Sequence, residues 1–212
     1  MPKNVRRLKA KNNNIPIKTI IMKTDIILAG VGGQGILSIA TIIGQAALGQ
    51  GLYIKQAEVH GMSQRGGDVQ SNLRISSNPI YSDLIPTGGA DVIIAMEPME
   101  ALRYQSFLSK DGWVITASTP FVNIPGYPDI EAINASLAKL PKVVSIDIEA
   151  LAKANHMPKA ANMILLGASA DALGMDFDIL KEAVRTVFGP KGEAIVDMNI
   201  KALEIGHENG IR

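Results

Sequence analysis

Apolar runs alternate with amphipathic segments along most of the chain. Strand-like runs, most of them largely apolar, cover residues 24–30, 52–59, 91–96, 113–118 and 142–148. Apolar residues recur at helical spacing in residues 35–48, 97–108, 129–140, 148–155, 161–174, 177–189 and 192–206. Because strands that alternate with helices build parallel sheets, the pattern predicts an α/β, Rossmann-like fold: a mostly parallel sheet with helices on both faces.

Residues 69–85 depart from this pattern. VQSNLRIS (69–76) and PIYSDLI (79–85) alternate polar and apolar residues and flank a turn signal at Ser77-Asn78. We therefore expect them to pair as a short antiparallel hairpin at the edge of the sheet. Nothing repeats and no low-complexity linker interrupts residues 22–212, which predicts a single domain there.

The amino-terminal segment has its own composition. The first 23 residues contain seven basic residues and no acidic residue, and the segment is rich in asparagine. We interpret residues 1–21 as a disordered extension, with an arm that binds nucleic acid or an anionic surface as the alternative. Because the chain lacks the apolar stretch of a signal peptide or a membrane span, we expect a cytoplasmic protein without a membrane or nucleic-acid partner.

A glycine turn follows the first predicted strand and precedes a predicted helix. Gly30, Gly32 and Gly35 have the G-x-G-x-x-G spacing, and Gly33 and Gln34 complete the turn. Glu58 closes the second strand near the place where dinucleotide-binding folds hold a ribose hydroxyl. This spacing predicts a phosphate or nucleotide site, and a free-standing NAD(P)- or flavin-dependent oxidoreductase is one interpretation. A tight turn that binds no ligand is the other.

The second predicted strand runs into a polar segment, EVHGMSQRGG, at residues 58–67. Exposed loops at strand ends with mixed polar groups tend to bind ligands. The candidate ligand-binding residues in it are Glu58, His60, Gly61, Ser63, Gln64, Arg65, Gly66 and Gly67. The imidazole of His60 is a possible proton donor, or a structural group that Glu58 holds in place. Arg65 is a candidate for bidentate binding of a carboxylate or phosphate.

Residue types that the chain lacks exclude several chemistries. Cysteine is absent, so the chain supplies neither a thiolate nucleophile nor cysteine ligands for an iron–sulfur cluster. The three histidines are too scattered along the chain to predict a zinc site. We therefore expect no metal site and no covalent catalysis by this chain.

Three segments together resemble one enzyme family. AEVHGMSQRGG, GVGGQG and the run PKAANMILLGA from Pro158 are similar to the gamma-type subunits of 2-oxoacid:ferredoxin oxidoreductases, and the indolepyruvate branch is the nearest match. LIPTGGADVIIAMEPMEAL is also typical of the family. The resemblance extends from about Met22 to near the carboxyl terminus.

The resemblance implies a subunit that is not catalytically complete. The family oxidatively decarboxylates 2-oxoacids to acyl-CoA, CO2 and reduced ferredoxin, and the indolepyruvate branch acts on arylpyruvates. Thiamine diphosphate, Mg2+ and iron–sulfur clusters would belong to a large partner subunit, in a heterodimer or heterotetramer. The chain agrees, because it has no Gly-Asp-Gly motif for thiamine diphosphate; Gly66-Gly67-Asp68 has the wrong order.

The same resemblance suggests a role for the polar segment. Residues 58–67 would face the large subunit and close its coenzyme A or substrate cleft, with Arg65 binding an anionic group. The glycine turn would cradle an anion or be purely architectural. Two alternatives remain open within this interpretation: a different 2-oxoacid (pyruvate, 2-oxoglutarate or ketoisovalerate), and a non-catalytic scaffold that only stabilises its partner.

Overall fold

A computed structural model of the protein describes residues 22–60 and 66–211. The strands of this part are β1 Lys23–Val31, β2 Tyr53–His60, β3 Asp68–Ser76, β4 Ala90–Ala95, β5 Leu108–Ala117 and β6 Val143–Ile146. Its α-helices are α1 Ile36–Gly49, α2 Pro98–Arg103, α3 Ile130–Leu137, α4 Ile148–Ala154, α5 Ala161–Ala168, α6 Ala170–Leu173, α7 Phe177–Phe188 and α8 Glu193–Glu208. Short 3-10 turns occupy Gln105–Phe107, Pro158–Ala160 and Gly189–Lys191.

The strands form one mixed sheet in the order β2-β3-β1-β4-β5-β6. β1, β4, β5 and β6 are parallel neighbours. β3 lies antiparallel to β1 on one side and to β2 on the other. The predicted α/β fold with a mostly parallel sheet and an antiparallel edge hairpin is confirmed.

The hairpin involves different segments from those predicted. Its strands are β2 and β3, joined by residues 61–67, whereas residues 79–85 form no strand. Side chains of β3 instead satisfy the backbone of that segment. The guanidinium of Arg74 donates to the carbonyls of Ser82 and Leu84, both at 3.1 Å, and Asn72 Oδ1 accepts from the amide of Ile85 at 3.1 Å. The prediction that PIYSDLI is a strand was wrong, because local alternation says nothing about these tertiary bonds.

Side-chain alternation along β1 divides the core between the two faces of the sheet. Ile26 and Leu28 belong to the larger core, which α1, α4, α5, α7 and α8 cover. Ile27 and Ala29 belong to the smaller core, which α2 and α3 cover. This arrangement confirms helices on both faces. It follows from the period of two in a strand, which sends successive side chains to opposite faces.

Four of the helices have a carboxylate side chain as their N-cap. Glu97, Asp129, Asp147 and Asp176 each accept a hydrogen bond from a backbone amide in the first turn of α2, α3, α4 and α7, respectively. Such bonds satisfy amides that have no partner inside the helix. Within the described ranges, no helix combines the length and the apolar character that crossing a bilayer requires.

Candidate functional site

The glycine turn connects β1 to α1 at the edge of the sheet where β1, β4 and β5 end. Gly35 occupies the position before the helix with φ +84°, and a Cβ there would lie 2.6 Å from Asn162 Nδ2. Asn162, at the start of α5, donates through Nδ2 to the carbonyl of Gly35 at 3.2 Å. Gly35 is therefore required both for its left-handed backbone and for the close approach of α5.

Gln34 stabilises the turn from within. Its Oε1 accepts from the amide of Val31 at 2.8 Å, and its Nε2 donates to the carbonyl of Met96 at 3.3 Å. These bonds link the end of β1 to the end of β4. Gly30 lies inside β1, where a Cβ would be 2.6 Å from Ile36 Cδ1. Both residues have clear structural roles at the site.

The turn is joined directly to the end of the polar segment. The amide of Gly32 donates to the carbonyl of Gly67 at 2.9 Å, and the amide of Gly66 donates to the carbonyl of Gly32 at 3.4 Å. The structure thus brings together two motifs that the sequence places at the carboxyl ends of two different strands. The predicted site residues Gly61, Ser63, Gln64 and Arg65, and the side chain of His60, lie outside the described residues.

This pairing bears on the dinucleotide interpretation. In dinucleotide-binding turns the second glycine leaves its backbone open to the pyrophosphate. Here both the amide and the carbonyl of Gly32 are occupied by Gly66 and Gly67. The amides of Gly33, Gly35 and Ile36 have no acceptor in the described part of the chain. An anion would therefore meet the turn at Gly33 and the start of α1, where the helix dipole also favours negative charge.

A cleft of about 430 Å³ lies between the turn and the edge hairpin. The described residues that line it are Val31, Gly32, Gly33, Gly35, Ile36, Leu37, Glu58 and Val69. Glu58 supplies the one ionisable side chain among them, and its Oε1 accepts from Gln56 Nε2 at 2.9 Å. The predicted proximity of Glu58 to the glycine turn is thus observed. Its exposed carboxylate can accept a hydrogen bond from a hydroxyl group.

A second cleft, of about 360 Å³, opens on the other side of Gly33. It lies at the ends of β4 and β5 and at the starts of α4 and α5, and it is lined by Gly33, Gln34, Met96, Ala117, Thr119, Ile148, Glu149, Pro158, Lys159, Ala161 and Asn162. Lys159 and Glu149 place one positive and one negative side chain at this cleft. Sequence reasoning assigned no role to Lys159 or Asn162, although Pro158-Lys159 ahead of a helix was a usable signal.

Glu97 lies in the turn after β4, the third element that the sequence places at the ligand-binding ends of the strands, although the sequence predicts no specific role for its carboxylate. It follows β4, and only 1% of its surface is exposed. Its carboxylate caps α2 and accepts from the amide of Phe121 at 3.3 Å and from the hydroxyl of Tyr127. Burial and this hydrogen bond raise the pKa of Tyr127, so the phenol keeps its proton and remains a donor. Glu97 therefore attaches the loop after β5 to the end of β4.

A neighbouring group of ionisable side chains joins Glu100 and Arg103 of α2, and Tyr104 at its end, to Asp68 of β3. Burial raises the pKa of Glu100, the hydrogen bond and charge of Arg103 oppose this shift, and the carboxylates of Glu97 and Asp68 add to it. Burial also raises the pKa of Tyr104 to about 12, and its hydroxyl donates to Asp68 Oδ2 at 3.3 Å. These contacts connect α2 to the start of β3 and hold the hairpin against the parallel strands.

Comparison with known proteins places this arrangement in a family. The family model described as pyruvate ferredoxin/flavodoxin oxidoreductase matches residues 25–209. The chain is 38% identical over 199 residues to the indolepyruvate oxidoreductase subunit IorB of Archaeoglobus fulgidus, covering 90% of this chain and 96% of that protein. The resemblance inferred from the three sequence segments is thus confirmed.

Two solved structures share the fold. The pyruvate oxidoreductase subunit PORC of Thermotoga maritima matches with a TM-score of 0.68 at 21% identity, over 88% of this chain and 96% of that one. The 2-oxoglutarate:ferredoxin oxidoreductase of Magnetococcus marinus, solved with 2-oxoglutarate, coenzyme A and succinyl-CoA bound, matches with a TM-score of 0.69 at 24% identity over 88% of this chain. This chain spans 30% of the length of that longer polypeptide. The chain belongs to the pyruvate ferredoxin/flavodoxin oxidoreductase family.

Proposed function

We propose that this protein is the small subunit of a ferredoxin-dependent oxidoreductase that converts indolepyruvate and other arylpyruvates to acyl-CoA, CO2 and reduced ferredoxin. The observation that carries the proposal is the 38% identity to an indolepyruvate oxidoreductase subunit over 96% of that subunit's length. A match of this extent includes the glycine turn, the edge hairpin and α5, so it covers every element of the candidate site.

The redox cofactors are assigned to a large partner subunit. Thiamine diphosphate with Mg2+ supplies the decarboxylation chemistry there, and iron–sulfur clusters carry the electrons to ferredoxin. The composition of this chain supports the division, since it has no cysteine and no Gly-Asp-Gly motif. The complex is a heterodimer or a pair of heterodimers.

In this proposal the small subunit binds and orients the acyl acceptor or the 2-oxoacid at the glycine turn. The amides of Gly33, Gly35 and Ile36, which have no acceptor among the described residues, favour an anionic group. Lys159 and Glu149 line the neighbouring cleft. Glu58 accepts a hydroxyl hydrogen in the adjoining cleft. Arg65, in the segment that joins β2 to β3, binds a carboxylate or phosphate of the same ligand.

The test uses the reconstituted complex with indolepyruvate, coenzyme A and a viologen acceptor. We expect Arg65→Ala to raise the KM for coenzyme A or for the 2-oxoacid about tenfold, because a charge-assisted bond is lost. Arg65→Lys should recover part of the loss, since it keeps the charge without the bidentate geometry. Arg185→Ala is the matched control, because Arg185 lies on the exposed face of α7 and pairs with Glu182.

Four outcomes would contradict parts or all of the proposal. Full activity of the Arg65→Ala complex removes the site assignment. Faster turnover of pyruvate, 2-oxoglutarate or ketoisovalerate than of indolepyruvate changes the substrate. Undiminished turnover by the large subunit alone would show that this chain is a non-catalytic scaffold. Micromolar binding of NADH to the isolated chain, lost in Gly32→Val, would favour a free-standing dinucleotide enzyme instead.

A further inference from the structure

The loop between β5 and α3 presents apolar side chains to solvent. Residues 118–128 contain no charged side chain. Phe121 is 45% exposed, Val122 68% and Ile124 44%. Three large apolar side chains so close together on one loop are unusual for a surface that remains in water, and such clusters mark sites of protein association.

The apolar loop is fixed in position, although it has no regular secondary structure. Buried Glu97 accepts from the amide of Phe121 at one end of the loop and from the hydroxyl of Tyr127 at the other. Asn123 Nδ2 donates to the carbonyl of Gly66 at 2.6 Å. Because hydrogen bonds hold the loop at three points, the loop loses little conformational entropy when a partner binds it.

The apolar loop borders the candidate site on two sides. Thr119, near its beginning, lines the second cleft, and Asn123 contacts the end of the polar segment that pairs with Gly32. Its apolar tip is therefore continuous with the edge of the sheet at which the ligand is proposed to bind. In the longer Magnetococcus marinus polypeptide the same fold is covalently joined to further chain.

We infer that the apolar loop, with Val122 and Ile124 at its tip, docks against an uncharged apolar surface of the large subunit. The inference rests on the proposed function, and it adds the surface through which the two subunits meet. Glu97 is a positioning residue in this arrangement, since it holds both ends of the loop. Docking at this loop would also close the glycine-turn clefts against water.

The test measures binding of the small subunit to the immobilised large subunit. Val122→Asp and Ile124→Asp should each weaken binding at least about tenfold, because a charge would be buried without a partner. Leu48→Asp is the matched control. Leu48 is 58% exposed and lies at the end of α1, about 20 Å along the helix from the glycine turn. The Leu48→Asp variant should bind the large subunit as tightly as the wild type does. Thermal unfolding should confirm that all three variants fold.

The possible outcomes separate this inference from the proposed function. If the wild type does not bind the large subunit, both are overturned. If the wild type binds and the two loop variants bind as tightly as Leu48→Asp, only the docking surface is overturned. A loop variant that abolishes self-association of the isolated chain, with unchanged binding to the large subunit, would make a second copy the occupant and also overturn the inference.

Discussion

Asp25 and Arg74 form a buried ion pair that links the first strand to the hairpin. Arg74 Nε donates to Asp25 Oδ1 at 2.7 Å, and Nη2 donates to Oδ2 at 3.0 Å. The same guanidinium binds the backbone of residues 82 and 84. One residue pair therefore sets both the pairing of β3 with β1 and the course of the segment after β3.

The pKa of Asp25 gives this pair a defined pH dependence. Burial alone would raise the pKa, but the hydrogen bonds and charges of Arg74 and Lys23 outweigh burial and lower it. Since the folded-state pKa lies below the unfolded value of about 3.9, the ionised pair stabilises the fold fully above that value. The contribution is lost as the pH falls through the lowered folded pKa.

We therefore predict that Asp25→Asn lowers the free energy of unfolding by about 3 kcal/mol near neutral pH, because the guanidinium loses its buried partner. Urea unfolding of both proteins should show that this difference shrinks below about pH 4. Asp178→Asn is the control, because its side chain is 85% exposed and its ion pair with Lys181 contributes little. A difference that is constant with pH would contradict the assignment.

At the level of elements, α5 and α8 pack with their backbones in contact. A Cβ at Gly167 would lie 1.9 Å from the carbonyl oxygen of Leu203, and one at Gly206 would lie 1.9 Å from that of Ile164. Backbone atoms cannot move aside as a flexible side chain can. The two glycines therefore set the distance between these helices, and α5 also carries Asn162 to the glycine turn.

Gly167→Ala should destabilise the fold by about 3 kcal/mol, since the added methyl group overpacks a rigid contact. Gly49→Ala is the matched control. Gly49 is the last residue of α1, its φ is not positive, and nothing lies within 4 Å of a Cβ there. Alanine at that position should be neutral or slightly stabilising. Chemical denaturation measures both, and equal stability of the two variants would show that α5 and α8 can separate without cost.

At the level of the whole molecule, residues 22–60 and 66–211 contain both cores and the six strands of the described sheet. The family match begins at residue 25, and the amide of Ser77 donates to the carbonyl of Met22 at 2.9 Å. Core residues of the two clusters range from Ile26 to Leu203. The prediction that residues 22–212 form one domain, with residues 1–21 as an extension, leads to a direct test.

A truncated chain that begins at Met22 should unfold at the same temperature as the full chain, because it keeps every core residue that the structure describes. It should also bind the large subunit with unchanged affinity at about 0.15 M salt. Thermal unfolding and binding measurements check the two statements. A lower unfolding temperature would place residues 1–21 within the folded domain, and a salt-dependent loss of binding would make them a functional arm.

The sequence by itself determined the class of fold, the family and the position of the glycine turn. These features depend on local patterns. All of these patterns involve residues that are close together along the chain: the strand and helix periods, the spacing of Gly30, Gly32 and Gly35, and the motif at residues 58–67. The alternation of polar and apolar residues also predicted β3 correctly as a strand. The predicted pairing with residues 79–85 was wrong, because this alternation does not specify which strand lies beside it.

Only the tertiary structure decided how these parts meet at the site. Asn162 reaches Gly35 across 127 residues, Asn123 reaches Gly66 across 57, and Glu97 reaches Tyr127 across 30. Contacts of this kind are set by the packing of α5 on α8 and by the order of strands in the sheet. Because no local spacing records them, the residues that close the clefts and present the apolar loop became visible only once the chain was folded.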